Sequence, residues 1–244
     1  MKIALVGTGK TGQSINRLAK ESGHDVIARF SSSAPLLEAK KEDLMNADVL
    51  IDFTSPHLAL PHIEQYCQWG IPAVVGTTGW YDSLTTVQTW VQDYKASILY
   101  APNFSIGVAV TSRIVELAAN LMNQLPAYDG YVHEYHHRMK VDSPSGTAIH
   151  LANKVLEGLD RKSHLTTETQ HHAIDTNALH VSSTRTGHIF GEHTIGFDSP
   201  YDHLSITHES KTRDSFAFGA LRAAEWLIGR QGLFTLNDLL EDWL

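Results

Sequence analysis

Gly7, Gly9 and Gly12 stand where an apolar run, Lys2 to Val6, gives way to a helical pattern from Lys10 to Ser22. A strand that ends in G-x-G-x-x-G and runs directly into a helix makes a tight turn at the positive helix terminus. A pyrophosphate can approach the main chain of such a turn, so Gly7, Gly9, Lys10, Thr11 and Gly12 predict a dinucleotide site. A rival reading uses the same residues. Gly9-Lys10-Thr11 matches the end of a nucleotide-hydrolase P-loop, and Val49-Leu50-Ile51-Asp52 matches an apolar strand ending in a magnesium-binding Asp. The P-loop, however, needs glycine where Ala4 stands inside the strand, which leaves a loop too short to wrap a phosphate chain.

The alternation of strand and helix continues. Runs at Asp25 to Phe30, Val49 to Phe53, Ile71 to Val75 and Ser97 to Tyr100 read as strands, with helical periodicity at Leu58 to Trp69 and Tyr81 to Tyr94. Near-continuous apolar strands belong to a parallel sheet covered on both faces. The fold class is therefore α/β, with an N-terminal Rossmann-type doubly wound sheet. After Pro102 the grammar changes. A long helical pattern, Ile106 to Met122, leads to a strand at Asp129 to His136 and a helix at Gly146 to Leu159. Strand-like runs follow at Leu179 to Arg185, Ile189 to Ile195 and His203 to His208, and polar Ser163 to Gln170 reads as a loop. This order predicts a second, α+β domain on a mixed sheet. A last helix, Ser215 to Arg230, carries Phe218, Leu221 and Ile228 at helical spacing.

An open α/β sheet binds its ligand at the carboxyl ends of its strands. Asp52-Phe53-Thr54-Ser55-Pro56, Gly76-Thr77-Thr78-Gly79 and Ala101-Pro102-Asn103-Phe104 occupy three such ends, and Phe53 is placed for the ribose or nicotinamide. At the end of the second strand, a carboxylate that binds a free ribose diol is commonly found about 20 residues beyond the glycines. This chain has Arg29, followed by Ser31, Ser32 and Ser33, a set that suits a 2′-phosphate. The expected cofactor is NADPH or NADH, with NADPH favoured.

Composition removes other classes. A formal charge of −8 excludes a general phosphate-backbone binder, so no nucleic-acid partner is expected. The single cysteine, Cys67, excludes an internal disulfide and a cysteine zinc site. No apolar run has bilayer-spanning length, and the first strand begins one residue after Met1. A cytoplasmic protein with no membrane partner is the expectation.

The segment Glu134 to Thr147, EYHHRMKVDSPSGT, concentrates the chemistry. Reducing a conjugated imine or enone requires a proton at the carbon next to the one that takes hydride, and histidine supplies protons near neutral pH. His136 and His137 end a strand, Arg138 and Lys140 follow, and Ser145-Gly146-Thr147 open a helix. Cations beside a helix N-terminus suit a small carboxylate-bearing substrate. With 15 histidines a metal also has to be weighed, but no H-E-x-x-H or comparable pairing occurs, so no metal is expected.

The same segment, with DFTSP, GTTGW, APNFSIGV and GEHTIGF in order, closely resembles the 4-hydroxy-tetrahydrodipicolinate (dihydrodipicolinate) reductase family, from Lys2 to the C-terminal helix. The resemblance implies an oxidoreductase of lysine and diaminopimelate synthesis acting on a small dicarboxylate. It implies His136 as proton donor with Lys140 as its partner, His137 at the substrate, and Ser145, Gly146 and Thr147 on a substrate carboxylate. For the cofactor it implies Gly9, Gly12, Arg29, Gly76, Thr77, Thr78, Ala101, Asn103, Phe104, Arg213 and Phe216. It further implies a homotetramer, a dinucleotide-binding domain of residues 1–104 and 214–244, and a substrate and oligomerisation domain of 105–213, with hinges near Ser105 and Arg213. Val6 departs from the family pattern, standing where many members have glycine, as do Ser55 and Ser143, which replace a common arginine and a common alanine.

Overall fold

The computed structural model describes residues 1–244. They form two compact units, Met1–Ile106 with Arg213–Leu244, and Gly107–Thr212. No helix is long and apolar enough to cross a membrane.

The first unit holds a six-stranded parallel sheet: β1 (Lys2–Val6), β2 (Asp25–Phe30), β3 (Val49–Asp52), β4 (Ala73–Val75), β5 (Ser97–Tyr100) and β11 (Gly232–Phe234), in the order β11-β5-β4-β3-β1-β2. β3 and β4 are buried at every residue, and β1 at all but Lys2, as expected for strands covered on both faces. The helices are α1 (Lys10–Glu21), α2 (Pro56–Trp69), α3 (Leu84–Asp93), α6 (Asp214–Leu227) and α7 (Leu236–Glu241). α2 starts on Pro56, whose fixed φ suits a first turn, and ends at Gly70 in the left-handed region. Its residues Ile63, Tyr66 and Cys67 join one core cluster with Leu50, Val75 and Ile98 of the sheet. The chain order reverses at β1, between β2 and β3, so the loops after β1 and β3 flank the switch point where such sheets bind ligands.

The second unit contains α4 (Ile106–Asn123, its first residue belonging to the first unit), β6 (Asp129–His136), α5 (Gly146–Gly158), β7 (His164–Thr166), β8 (Ala178–Arg185), β9 (Glu192–Asp198) and β10 (His203–Glu209). The sheet order is β10-β9-β6-β8-β7, with β6, β7 and β8 parallel and β9 and β10 antiparallel to their neighbours. β6 alternates: Gly130, Val132, Glu134 and His136 are buried, and the residues between them are less so. Val132 packs with Val155, Val181, Ile195 and Phe197 in an apolar core. The same buried face becomes polar two residues later, at Glu134.

Several elements differ from the sequence expectation. The polar stretch read as a loop contains β7, whose three residues pair with Ala178 to His180. β9 begins at Glu192 rather than Ile189, because Gly191 takes φ +151° and interrupts an extended ladder. The helix expected from Tyr81 opens as a 3-10 turn, Tyr81–Ser83, before α3 proper. The C-terminal helix stops at Leu227, shortly before Gly229 at φ +82°, and the unpredicted β11 and α7 follow.

Candidate functional site

In the first unit a cleft of about 480 Å³ opens at the ends of β1, β2 and β3, lined among others by Gly7, Thr8, Gly9, Ser31, Ser32 and Phe53. The three glycines of the turn are there for different reasons. A Cβ on Gly7, which has φ +97°, would lie 2.1 Å from the Phe53 carbonyl oxygen, and one on Gly12 would lie 2.0 Å from the Gly7 carbonyl oxygen. Those two glycines serve packing. Gly9 caps α1 and a Cβ there would meet nothing within 4 Å, so its bareness leaves open space at a helix N-terminus. Gly9→Val is therefore expected to weaken dinucleotide binding about tenfold or more, while the melting temperature stays within a few degrees. Gly12→Ala is expected to destabilise by about 1–3 kcal/mol through overpacking. Titration calorimetry and thermal unfolding of the two variants separate these roles; equal destabilisation by both would contradict them.

Phe53 rests edge-on against Phe104, ring centroids 5.6 Å apart, and occupies the volume a side chain on Gly76 would need. Asp52 is fully buried below it. Its carboxylate accepts hydrogen bonds from Thr54 Oγ1 (2.7 Å), Thr77 Oγ1 (3.0 Å) and Tyr66 OH (2.7 Å), and lies 2.9 Å from His62 Nδ1. Burial, then the Asp52 charge, pushes the Tyr66 hydroxyl well above its ordinary value, so it remains a donor. With these partners in place Asp52 has no vertex to offer magnesium, which removes the second hydrolase fragment. Thr77 is likewise committed inward, whereas Thr78 is exposed. Arg29 donates to Asn16 Oδ1 of α1 through Nε (3.1 Å) and Nη2 (2.8 Å), and does not line the cleft. Lys10 and Thr11 are also outside the lining. Asn103 Oδ1 accepts from the Ser105 N–H at 2.8 Å, and Ala101 and Phe104 are buried.

In the second unit, the histidine segment closes around one carboxylate. Glu134 is fully buried, and its Oε1 accepts from the Ser145 backbone N–H (2.8 Å), Ser183 Oγ (2.8 Å) and Arg185 Nη2 (2.8 Å). Oε2 accepts from Ser145 Oγ and faces His136 Nδ1 at 3.1 Å and His193 Nε2 at 3.5 Å. Burial alone would raise this carboxyl. The approach of His136 and His193 to Oε2, with the hydrogen bonds from Ser145 and Arg185, outweighs it and holds the group far below the usual carboxylate range. His136 is 6% exposed, and a Cβ on Gly191 would lie 2.8 Å from its Nε2, so only glycine leaves that edge of the ring uncrowded.

Glu134, His136 and His193 also bring one potential ligand atom each within 4.8 Å of the others. The sequence shows no such grouping, because His193 arrives on β9. The donors from Ser145, Ser183 and Arg185 already occupy the carboxylate, and the two imidazoles sit beside it at ion-pair distance, His193 Nε2 being 3.2 Å from Ser145 Oγ.

Ser145 is the N-cap of α5, its Oγ accepting from the Ala148 N–H at 3.1 Å while donating to Glu134. Its hydroxyl is thus spent inside the cluster. Gly146 and Thr147 open the helix beside it, Gly146 exposed and Thr147 half-buried. Lys140 is paired with Asp142 at 2.8 Å, and this contact lowers the Asp142 carboxyl. Of the two residues expected to act together at the substrate, His136 faces Glu134 and Lys140 faces Asp142. His137 is half-buried, with its N–H on the Ile189 carbonyl at 2.7 Å. Arg213 is exposed and Phe216 half-buried, both in the first unit. Glu134, Arg185, Gly191 and His193 are the site residues that sequence reasoning passes over; GEHT was the one signal, read as a motif without a role.

Comparison with known proteins agrees with this architecture. Family models described as "Dihydrodipicolinate reductase, N-terminus" and "Dihydrodipicolinate reductase, C-terminus" match residues 1–104 and 107–240. The 4-hydroxy-tetrahydrodipicolinate reductase of Christiangramia forsetii is 35% identical over 244 residues, covering 99% of this chain and 98% of the relative. That of Ralstonia pickettii is 36% identical over 265 residues, covering 98% and 99%. Among solved structures, a dipicolinate-bound dihydrodipicolinate reductase from Paenisporosarcina sp. TG-14 superposes with a TM-score of 0.79 at 24% identity, covering 96% and 97% of the two chains, a likeness of fold. With both halves matched in order and full-length relatives above one-third identity, the chain belongs to the dihydrodipicolinate reductase family.

Proposed function

We propose that this protein reduces 4-hydroxy-tetrahydrodipicolinate to tetrahydrodipicolinate with a reduced nicotinamide dinucleotide, as a cytoplasmic enzyme of lysine and diaminopimelate biosynthesis. The observation that carries the reading is the buried Glu134–His136 pair beside the N-terminus of α5, in a chain of this family. The first unit binds the dinucleotide and the second the substrate. The cleft residues Gly9, Ser31, Ser32 and Phe53 fit the dinucleotide, which supplies hydride when bound.

The chain's own groups do the rest. Glu134 orients the His136 ring through Nδ1, leaving Nε2 to carry the proton to the carbon beside the one reduced. The positive end of α5 at Gly146 and Thr147 binds one substrate carboxylate, which takes the place of Asp142 at the Gly146 N–H. Lys140 exchanges Asp142 for the substrate, and His137 adds a further contact. The test is to mix enzyme and NADPH with the condensation product of pyruvate and aspartate semialdehyde and follow nicotinamide absorbance. Oxidation of NADPH is the expected result. Binding without turnover would instead identify a silent dinucleotide-binding regulator, and magnesium-dependent phosphate release a nucleotide hydrolase.

For the cofactor, NADPH is preferred over NADH. Ser31 and Ser32, just past the end of β2, face the cleft, and Arg29 within β2 leaves Asn16 for a 2′-phosphate, with no carboxylate at that strand end to take a ribose diol. Arg29→Ala is expected to lower kcat/KM for NADPH about tenfold and to leave that for NADH within about twofold. A native preference for NADH would overturn this assignment. Assembly is as a homotetramer through the second unit, where Tyr131, His133 and Tyr135 occupy the less buried face of β6. Light scattering at four times the monomer mass is the expected reading.

A further inference from the structure

Asp142 takes no part in the proton transfer, yet it occupies both of the groups assigned to the substrate carboxylate. Lys140 Nζ donates to its two oxygens at 2.8 and 2.9 Å, and the Gly146 N–H at the start of α5 reaches the same carboxylate. Lys140 first, and Gly146 to a lesser degree, hold the Asp142 carboxyl below its ordinary value, so it is ionised at neutral pH. The two partners of the ion pair are unequally placed. The Lys140 side chain is 23% exposed and the Asp142 side chain 57%, so the cation is sheltered while the anion has solvent to leave into.

What holds this segment is its main chain. The Asp142 carbonyl accepts from Arg185 Nη2 at 2.6 Å, and the same nitrogen donates to Glu134 Oε1 at 2.8 Å. Before Asp142, the Lys140 N–H is on the His137 carbonyl at 3.1 Å; after it, the Ser145 N–H is on Glu134 Oε1 at 2.8 Å. With the backbone tied on both sides, the carboxylate can leave Lys140 by rotation of its own side chain, and the loop does not have to move.

We propose that Asp142 is an internal place-holder for the substrate carboxylate, which sets the affinity of the site by competing for Lys140 and the α5 N-terminus. The proposal rests on the reading of Lys140, Gly146 and Thr147 as the carboxylate site. An incoming carboxylate gains the partners that Asp142 gives up, so the observed affinity is the intrinsic one reduced by the fraction of molecules in which Asp142 has already left. An exposed ion pair and a helix-terminus contact are each worth little, so the reduction is about three- to tenfold. Being tethered two residues from Lys140, Asp142 also competes at a high effective concentration. A simple anion that offers nothing beyond one carboxylate is therefore kept out, and a ligand with further groups to engage is admitted.

The test is calorimetric titration of the full-length protein with pyridine-2,6-dicarboxylate, a stable aromatic dicarboxylate. Asp142→Asn keeps the size of the side chain and removes its charge; it is expected to tighten binding about three- to tenfold and to lower the substrate KM in the reductase assay in proportion. Asp142→Ser is expected to do the same, so the test survives a failure of either variant to fold. Pyridine-2-carboxylate, with one carboxylate, is expected to compete with an inhibition constant lower by the same factor in these variants, because each ligand displaces one Asp142. Lys140→Met is expected to weaken dicarboxylate binding about tenfold or more. Weaker binding in the Asp142 variants overturns the proposal and makes Asp142 a residue that orients Lys140 for substrate. Unchanged binding overturns it as well, as does a gain confined to the dicarboxylate, which would be long-range repulsion in place of displacement. Wild-type binding that does not respond to Lys140→Met would instead remove the carboxylate site itself, and the proposal with it.

Discussion

His136→Gln is expected to cut kcat by roughly 10²- to 10⁴-fold, the usual contribution of a positioned general acid, with dinucleotide affinity within about twofold of wild type. Glutamine keeps a donor near Glu134 and roughly the volume of the ring, so the pocket between Gly191 and Glu134 stays filled while the transferable proton is lost. The residue belongs to the second unit and the nucleotide cleft to the first, which is why the two readouts separate. Steady-state kinetics together with direct NADPH titration check the outcome. An unchanged kcat would mean that the acid is another group.

Glu134→Ala carries the larger cost in stability, about 3–5 kcal/mol, because it leaves the largely buried Arg185 guanidinium with no counter-charge. The pH dependence gives this prediction a sign. The folded Glu134 carboxyl is held far below the ordinary value of about 4.3, so its contribution is complete above that pH. It declines as the pH falls further, because the unfolded chain takes up the proton that the folded one refuses. Wild type and variant should therefore differ fully at pH 7, and the gap should narrow progressively as the pH falls below about 4 in denaturant unfolding. A gap independent of pH would show that Glu134 acts by filling space and not by charge.

Those two residues also show how far a sequence can be read. His136 is visible because its neighbours in the chain, His137, Arg138, Lys140 and the Ser145 to Thr147 helix start, already form a chemical pattern. Glu134 lies in the same string, yet its meaning depends on Ser183, Arg185 and His193, which reach it only through the pairing of β6 with β8 and β9. The Lys140–Asp142 contact is local but ambiguous, since a lysine in a catalytic segment reads as a substrate ligand before it reads as half of an ion pair. In the first unit, the glycine turn is legible from its flanking strand and helix, but the division of labour among Gly7, Gly9 and Gly12 is not, because it turns on carbonyl oxygens of Phe53 and Gly7. Asp52 misleads in the opposite direction: the strand end that imitates a magnesium site is bound by side chains from α2 and the loop after β4. Short elements are hardest to see. β7 and β11 have three residues each, too few for a period-2 pattern to register, and β9 was displaced because Ile189 and Phe190 supply apolar residues just before its true start.

The discontinuity of the first unit has a consequence for the life of the chain on the ribosome. Its sheet has β5 against β11, whose residues are 232–234, and α6 packs on β3, β4, β5 and α1 with Ala217, Ala220, Ala223 and Ala224 buried. Gly219 comes so close to the Phe104 carbonyl that no side chain would fit. During synthesis the second unit has all of its residues once Thr212 has emerged, whereas the first keeps an unpaired edge strand and an uncovered helix-binding face until residues 213–244 appear. Of the two units, the one begun earlier is completed later, and a nascent chain arrested before α6 would present its Rossmann-type half to chaperones and proteases as an open sheet.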